Sequence, residues 1–549
     1  MDCKQFKDPI YGYVKIPVDY VNKIIDTNIF QRLRRIIQTS YSPLYPAAIH
    51  NRFVHSIGVF HLGQIVSDKV LEAMARFPIY KERNDWEHIA EIFKLACLLH
   101  DVGHAPFSHT GEKFFLDSTN EKNRYSKLHS ELLECVKSES LKKDIPALDS
   151  KAAAPHEIMS AIIGLNEFEE FFSTDFEREF FARCITGYKF SDDYEQGSIF
   201  NCFVSLLNSK VIDVDRLDYL IRDAYFTGFE TINIDYFRLL NSLLIVAREI
   251  TVEEEDVTKY EIAYNKNAVS IIENVVYAHD AERKWIQTHP IVLYDMYIIQ
   301  HIIHSMDKWF KDKGVNLFSI EALSSQGVAI SEDETISLLC DDDIVHFLKK
   351  KTDDELCNEF FSRNTRRHPL WKSEAEYKAY LSLEYNGQPL AKLEKAFDET
   401  EQYLRKFSES WIINDDVIEK VEEELEKIKN ADADAVDAKS RDKQLKTKQT
   451  ILKLMTFMRK YANSHNCKCD FVILKASQFY SGFNKAEFES LPIVFKGKED
   501  KVHDFKKVVS TLGNTDEKDK EYFYLYYKYD KNGRFDKEDF CKELYKEFI

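Results

Sequence analysis

No stretch of this sequence is apolar for long enough to cross a membrane, and its first residues, Met1-Asp2-Cys3-Lys4-Gln5, lack the apolar core of a signal peptide. Membrane insertion and export are therefore not expected, and the cytoplasm is the expected location. Cysteine is sparse. Ten in 549 residues form no pattern resembling a disulfide framework and are read as reduced thiols. Cys467-Lys468-Cys469 with His465 has no second ligand pair to complete a zinc site and is read as structural. Positive charge is outnumbered, 75 Lys and Arg against 93 Asp and Glu, for a formal net charge of −18. That balance disfavours sequence-independent binding to duplex nucleic acid, while leaving room for a local basic cleft. No internal repeat is visible. What remains is a globular chain, 44% hydrophobic, long enough for roughly two to four domains.

The chemistry-bearing residues are concentrated. His100, Asp101, His104 and His109 fall within ten consecutive positions, directly after an apolar run. Ile89, Ile92, Phe93, Ala96 and Leu99 recur at the three–four spacing of a buried helical face. Gly103 suits a helix end and Pro106 cannot continue the helix. His100 and Asp101 are thus expected where a buried helix opens into a cleft. His55 precedes the helix-like Ser56-Ile57-Gly58-Val59-Phe60, and Asp215 lies in an amphipathic run from Val211 to Ile221. Three helices can then offer His55, His100, Asp101 and Asp215 to one metal, leaving positions for water and substrate. Imidazole plus carboxylate suits Fe, Mn, Zn, Ni or Co better than Mg or Ca.

This ordered set, with Asp8-Pro9-Ile10-Tyr11-Gly12, Asp26 to Arg34 and His50 to Ser56, resembles the HD-domain deoxynucleoside triphosphate triphosphohydrolases. The likeness runs from about residue 6 to about residue 300 and is closest to the branch that joins a SAM domain to the HD domain; no SAM domain is expected here. It implies cleavage of a dNTP into deoxynucleoside and inorganic triphosphate, with Mg accompanying the substrate phosphates. It implies His55, His100, Asp101 and Asp215 as metal ligands. His109 is implied near the attacked α-phosphorus, with Glu112 where the group more often has Asp, and His104 as a second active-site histidine. His156 is implied as the group that protonates the leaving 5′-oxygen. Arg52 and Arg216 match phosphate contacts; Gln38, Tyr219 and Asp223 match groups that bind the sugar 3′-hydroxyl. Gln287 stands where the group has a tyrosine closing on the sugar, and His279 and Arg283 replace a basic pair, so a different sugar gate is expected. A guanine-nucleotide or dNTP activator at an interface of a homo-oligomer, dimer or tetramer, is implied by Lys4, Asp26, Gln31 and Arg34. Arg363, Arg366 and Arg367 are further candidate phosphate contacts there.

Two other readings use the same residues: an HD phosphodiesterase or nuclease acting on a cyclic or polymeric nucleotide, and a nucleotide sensor on a retired HD fold. The Asp26–Arg34 block with Tyr219 and Asp223 argues against the first, and the intact ligand set with His109 against the second.

The expected fold is mainly α: an HD-domain helical core over residues 1–320, with a short β-hairpin around Ile250-Thr251-Val252 and Tyr260-Glu261-Ile262. A helical extension over 321–430, a flexible linker over 431–447 and a smaller α+β C-terminal region over 448–549 follow. Within the last, Asp530-Lys531-Asn532-Gly533 is read as a hairpin turn.

Overall fold

The computed structural model describes residues 2–117, 123–145, 153–192, 194, 196–229, 233–252, 255–350, 355–382, 388–406, 412–430, 438–465, 470–476, 489–496, 501–509, 522–528 and 535–548. The chain is mainly α-helical. It divides into two compact units. The first comprises Met1–Arg283, Ser305–Phe347 and Tyr480–Thr515; the second comprises Lys284–His304, Leu348–Phe479 and Asp516–Ile549.

Three helices of the first unit carry the motifs. Arg52–Met74 starts after Asn51, whose side chain accepts the Val54 N–H at 3.3 Å. Val214–Thr227 starts after Asp213, whose carboxylate accepts the Arg216 N–H at 2.7 Å. Both are side-chain caps that satisfy an otherwise orphaned donor. Trp86–Leu99 is buried on more than the expected stripe: Leu95, Cys97 and Leu98 join Ile89, Ile92, Phe93, Ala96 and Leu99 in the core. It packs against both Arg52–Met74 and the Asp175–Thr186 helix, leaving Glu87 and His88 exposed near its start and its last turns buried. At about 1.5–3 kcal/mol per buried large apolar side chain, this helix is a firm anchor for the residues at its end.

The expected hairpin is present as Leu243–Val252 paired antiparallel with Glu255–Asn265. Pro492–Phe495 adds to it in parallel, with Tyr264 opposite Ile493, and Lys501–Asp504 extends the sheet. Residues from the expected 448–549 region therefore belong to the first unit. An N-terminal hairpin, Cys3–Asp8 with Gly12–Pro17, closes on Asp8, whose Oδ1 accepts the Ile10 and Tyr11 N–H groups at 2.8 and 3.0 Å.

The second unit holds helices and a three-stranded antiparallel sheet, His368–Pro369, Tyr522–Tyr527 and Val472–Ala476. Val417, Val421 and Leu425 of the Asp415–Asn430 helix are buried. The expected linker is helical from Ala438 on. That helix, Ala438–Ser464, buries Ile451, Leu454, Met455 and Met458. Its polar first turns are rich in helix-forming Lys, Gln and Arg, and Arg441 donates to the Ile428 carbonyl at 3.1 Å. Cys467, Cys469 and the Asp530–Gly533 turn lie outside the described residues. None of the described cysteines is in a disulfide, and no described helix is long and apolar enough to cross a membrane.

Candidate active site

All four expected metal ligands sit at helix ends: His55 and Asp215 in first turns, His100 and Asp101 just past a last turn. Their donor atoms converge. His55 Nε2 lies 2.9 Å from Asp215 Oδ1, 3.3 Å from His100 Nε2 and 3.6 Å from Asp101 Oδ2. His100 Nε2 lies 3.5 Å from Asp101 Oδ2 and 3.6 Å from Asp215 Oδ1. Donors about 2.1 Å from a shared ion stand roughly 3.0–3.4 Å apart, so His55, His100 and Asp101 are spaced to suit one metal, with Asp215 within reach of both imidazoles.

Proton placement points the same way. His55 Nδ1 lies 2.7 Å from Asp218 Oδ2, and His100 Nδ1 lies 3.0 Å from the Cys97 carbonyl. Both partners only accept, so each Nδ1 carries a proton, which leaves Nε2 as the atom each ring can turn to a metal. Two imidazole Nε2 atoms and the Asp101 carboxylate face one point, with Asp215 beside the two rings, an arrangement that calls for positive charge. Burial alone would lower the His55 imidazole; Asp215 and Asp218 outweigh burial and push it up to about 9. Asp101 is held down at about 2: burial opposes this, and Arg52, His100 and His55 overcome it. His55, His100 and Asp101 are buried, whereas the Asp215 side chain is 37% exposed and marks the open side.

A line of charges supports His55 from behind. Asp218 is paired with Arg222 through two hydrogen bonds of 2.8 and 2.9 Å, and Arg222 reaches Asp8 at 3.0 Å. Gly58 makes room for it: a Cβ there would stand 1.9 Å from Asp218 Oδ1. Sequence reading missed Asp218 and Arg222. Their signal was available, since they lie three and seven residues beyond Asp215, on the same helical face.

The second cluster is built on Glu112. His109 Nδ1 lies 2.7 Å and His156 Nδ1 2.9 Å from Glu112 Oε1, and His104 stacks on His156 at 4.3 Å. His104 Nε2 stands 3.6 Å from Asp101 Oδ1, so the two clusters adjoin. Burial would raise Glu112, but His156 and His109 hold it well below the usual carboxylate range. Burial would lower His156; Glu112 and Glu157 reverse this and push it up to about 9. His104 goes the other way. It is fully buried, and burial with the neighbouring Arg52, His156 and His109 drives it well below its ordinary value, so it is neutral.

The loop between the clusters lies directly on the Pro155–Glu167 helix. The Gly103 N–H donates to Ser160 Oγ at 3.0 Å, and a Cβ on Gly103 would come within 2.4 Å of the Met159–Ser160 backbone. This contact brings His104 over His156. Phe107 and Ser108 have left-handed backbone, φ 56° and 55°, which costs non-glycine residues about 1–3 kcal/mol each.

Arg52 is engaged within the protein: it donates to Asp101 Oδ2 at 2.8 Å, Ser108 Oγ at 2.9 Å and the Gln38 carbonyl at 3.3 Å. Arg216 donates to Tyr219 OH at 3.3 Å and to the Val211 carbonyl at 3.1 Å. Asp223 is buried with His50 Nε2 2.6 Å from its Oδ1, and His50 stacks on Phe226. Gln38 Oε1 is buried and has no hydrogen-bond partner among the described residues. His279 is buried and Gln287 half-buried.

Asp26, Gln31 and Arg34 share an exposed edge of the first unit. Gln31 donates to the Ile25 carbonyl at 2.7 Å and accepts from Arg34 at 2.9 Å, and the Arg34 guanidinium lies 3.5 Å above the Phe53 ring. Lys4 is exposed on the N-terminal hairpin. Arg366 and Arg367 are buried in the second unit and paired with Asp295 and Glu359, so they are not free to take phosphates; Arg363 is exposed.

A family model described as the HD domain matches residues 52–168. An uncharacterized Bacillus subtilis protein, YwfO, is 26% identical over 396 residues, 69% of this chain and 75% of that protein. The deoxynucleoside triphosphate triphosphohydrolase SAMHD1 homolog of Dictyostelium discoideum is 29% identical over 278 residues. That match spans 50% of this chain and 46% of the relative, so it covers about half of each. A solved phosphohydrolase from Bacteroides thetaiotaomicron shares the fold, with a TM-score of 0.52 at 17% identity over 96% of this chain and all of that one. The family match falls on the helices that carry His55, His100 and Asp101, so residues 52–168 form an HD domain, and the chain is similar to proteins that include dNTP triphosphohydrolases.

Proposed function

We propose that the chain hydrolyses deoxynucleoside triphosphates at the α-phosphate, yielding deoxynucleoside and intact triphosphate. One observation carries this reading: a site fit for a metal adjoins a carboxylate-held imidazolium. Asp101 faces the metal donors through Oδ2 and His104 through Oδ1, and His104 stacks on His156. His55, His100, Asp101 and Asp215 would hold the metal, which stabilises phosphoryl charge and acidifies water when bound.

The remaining roles follow from the side chains. His156, pushed up to about 9, carries a proton at neutral pH and can hand it to the departing 5′-oxygen. His109, oriented by Glu112 and 59% exposed, faces the attack side. Arg52 holds Asp101 in place, and Arg216 supplies positive charge beside Asp215. Gln38 Oε1 and Asp223 offer acceptors for a sugar hydroxyl. The substrate class is supported by the printed activity of the SAMHD1 relatives. We also assign to the Asp26–Gln31–Arg34 edge, with Lys4, the binding of a guanine-nucleotide or dNTP activator between copies of this chain.

The deciding experiment incubates the full chain and each metal with every dNTP and NTP, with and without GTP, and separates the products by ion exchange. Triphosphate with deoxynucleoside is expected. Pyrophosphate with nucleoside monophosphate, or turnover of cyclic or polymeric nucleotides only, moves the protein to another reaction class.

A further inference from the structure

Two segments distant in sequence grip the loop that carries His104 and His109. Arg32 is buried, and its partners are backbone carbonyls: Leu339 at 2.8 Å, Val102 at 3.2 Å, and His104. No ion pair to Arg32 forms among the described residues. A guanidinium taken from water onto neutral carbonyls is a costly way to fill a core, which an apolar side chain would fill more cheaply. The cost fits a role in fixing position, since the Val102 and His104 carbonyls flank Gly103, where the loop touches the Pro155–Glu167 helix.

Asp341 grips the other end. Its Oδ1 accepts the N–H of left-handed Phe107 at 2.6 Å, and its Oδ2 accepts the Ile37 N–H at 2.8 Å. The Ile37 carbonyl in turn accepts from Ser108 Oγ at 2.5 Å, and Ser108 Oγ accepts from Arg52, which holds Asp101. Leu339, the third carbonyl on Arg32, is two residues from Asp341. The two grips therefore meet in one short segment, 339–341, and between them they fix the loop on both sides of Pro106.

We propose that Arg32 and Asp341 are positioning residues that clamp the 102–108 loop, setting His104 and His109 relative to the metal donors. The role of that loop in turnover rests on the hydrolase reading above; the clamp itself does not. Gln31, one residue away, lies on the exposed edge, so the clamp and the proposed nucleotide edge share the Asn28–Arg32 helix.

The test compares full-length wild type with Arg32→Lys, Asp341→Asn and Asp341→Ala. Amide hydrogen exchange, melting temperature, metal content and steady-state kinetics are measured on each. A lysine's three donors sit on one nitrogen and cannot span carbonyls met by three separate guanidinium nitrogens, and Asn keeps one acceptor where Ala keeps none. Exchange across 102–111 is expected to quicken about tenfold or more, with the Cys3–Pro17 hairpin unchanged, and Asp341→Asn falling between wild type and Asp341→Ala. On the substrate, kcat should fall about tenfold or more with KM little changed, because the loop shifts while the metal stays. Unchanged loop exchange in Arg32→Lys and Asp341→Ala overturns the clamp. So does acceleration spread evenly over the first unit with a matching loss of melting temperature. Exchange needs no substrate. A chain inert toward every nucleotide, whose loop still loosens in the variants, removes the hydrolase reading and leaves the clamp.

Discussion

His55 is oriented by Asp218: its Nδ1 stands 2.7 Å from the Asp218 carboxylate, which fixes Nε2 toward Asp215 and His100. Asp218→Asn keeps the size but can present its amide N–H to His55, turning the ring or its tautomer. Metal affinity should fall about tenfold to a hundredfold, with activity recovering at high metal concentration. Metal titration followed by kinetics reads this. Equal affinity in the variant would remove Asp218 from the metal site's support. Gly58→Ala attacks the same pair by sterics and should destabilise the fold by about 1–3 kcal/mol or more, measured by denaturant unfolding.

Asp101 has a different place in the same site, as a charged donor also paired with Arg52. Asp101→Ala leaves Arg52 buried with its main partner gone. Metal content and turnover should be lost together. Full metal occupancy in that variant contradicts the ligand assignment.

The His156–Glu112 pair sets a pH limb. His156 is raised to about 9, so its proton, and the stability its charge contributes, is fully present below about 6.5 and lost as pH rises through about 9. The rate should therefore fall on the alkaline side near pH 9. Glu112→Gln removes the charge that does most to raise His156, so this limb should move toward about 6.5, on top of a fall in kcat. His156→Ala should keep metal and fold and lose turnover roughly a hundredfold. An alkaline limb that stays at the same pH in Glu112→Gln would assign it to another group.

The place of His100 and Asp101 was legible because it is local: they end an apolar helix that helical spacing announces, whereas His55 and Asp215 come from distant segments and were named by order and resemblance. The three helices were legible too. Asp341 was not, because nothing near it in sequence shows that its carboxylate reaches Ile37 and Phe107 across more than two hundred residues. Arg32 reads as one of several basic residues in Gln31-Arg32-Leu33-Arg34-Arg35, and only packing separates the buried Arg32 from the exposed Arg34 and Arg35. The pairing of Pro492–Phe495 with the hairpin was hidden for the same reason. Strand character is local, while the choice of partner strand is not.

His50 bears on sugar recognition. Its Nε2 lies 2.6 Å from Asp223 Oδ1, and both side chains are buried. His50→Phe preserves the stacking on Phe226 and deletes the partner. Asp223, left buried without that partner, should turn away from its place. KM for a dNTP should then rise about tenfold with a smaller change in kcat, since the contact is made in ground and transition states alike. The same fold-change on a 3′-deoxy analogue would show that Asp223 does not read that hydroxyl.

The nucleotide edge gives the final prediction. Gln31 and Arg34 are already engaged with each other and with the Ile25 carbonyl and Phe53 ring, which holds them rigid, whereas Asp26 is exposed. A carboxylate there can accept from the N1–H and N2–H edge of guanine, a donor pair that adenine lacks. If guanine nucleotide binds there between copies of this chain, it favours the oligomer by mass action, so activity and assembly should rise together with GTP. Asp26→Ala should raise the GTP concentration needed for half-activation by about tenfold or more, with the response to adenine nucleotides unchanged. Metal content should match wild type, because Asp26 contacts none of the four metal donors. Sedimentation and activity measured over the same GTP series check both halves. Superimposable curves for wild type and Asp26→Ala at limiting GTP would take this edge out of the regulation while leaving the metal site as it stands.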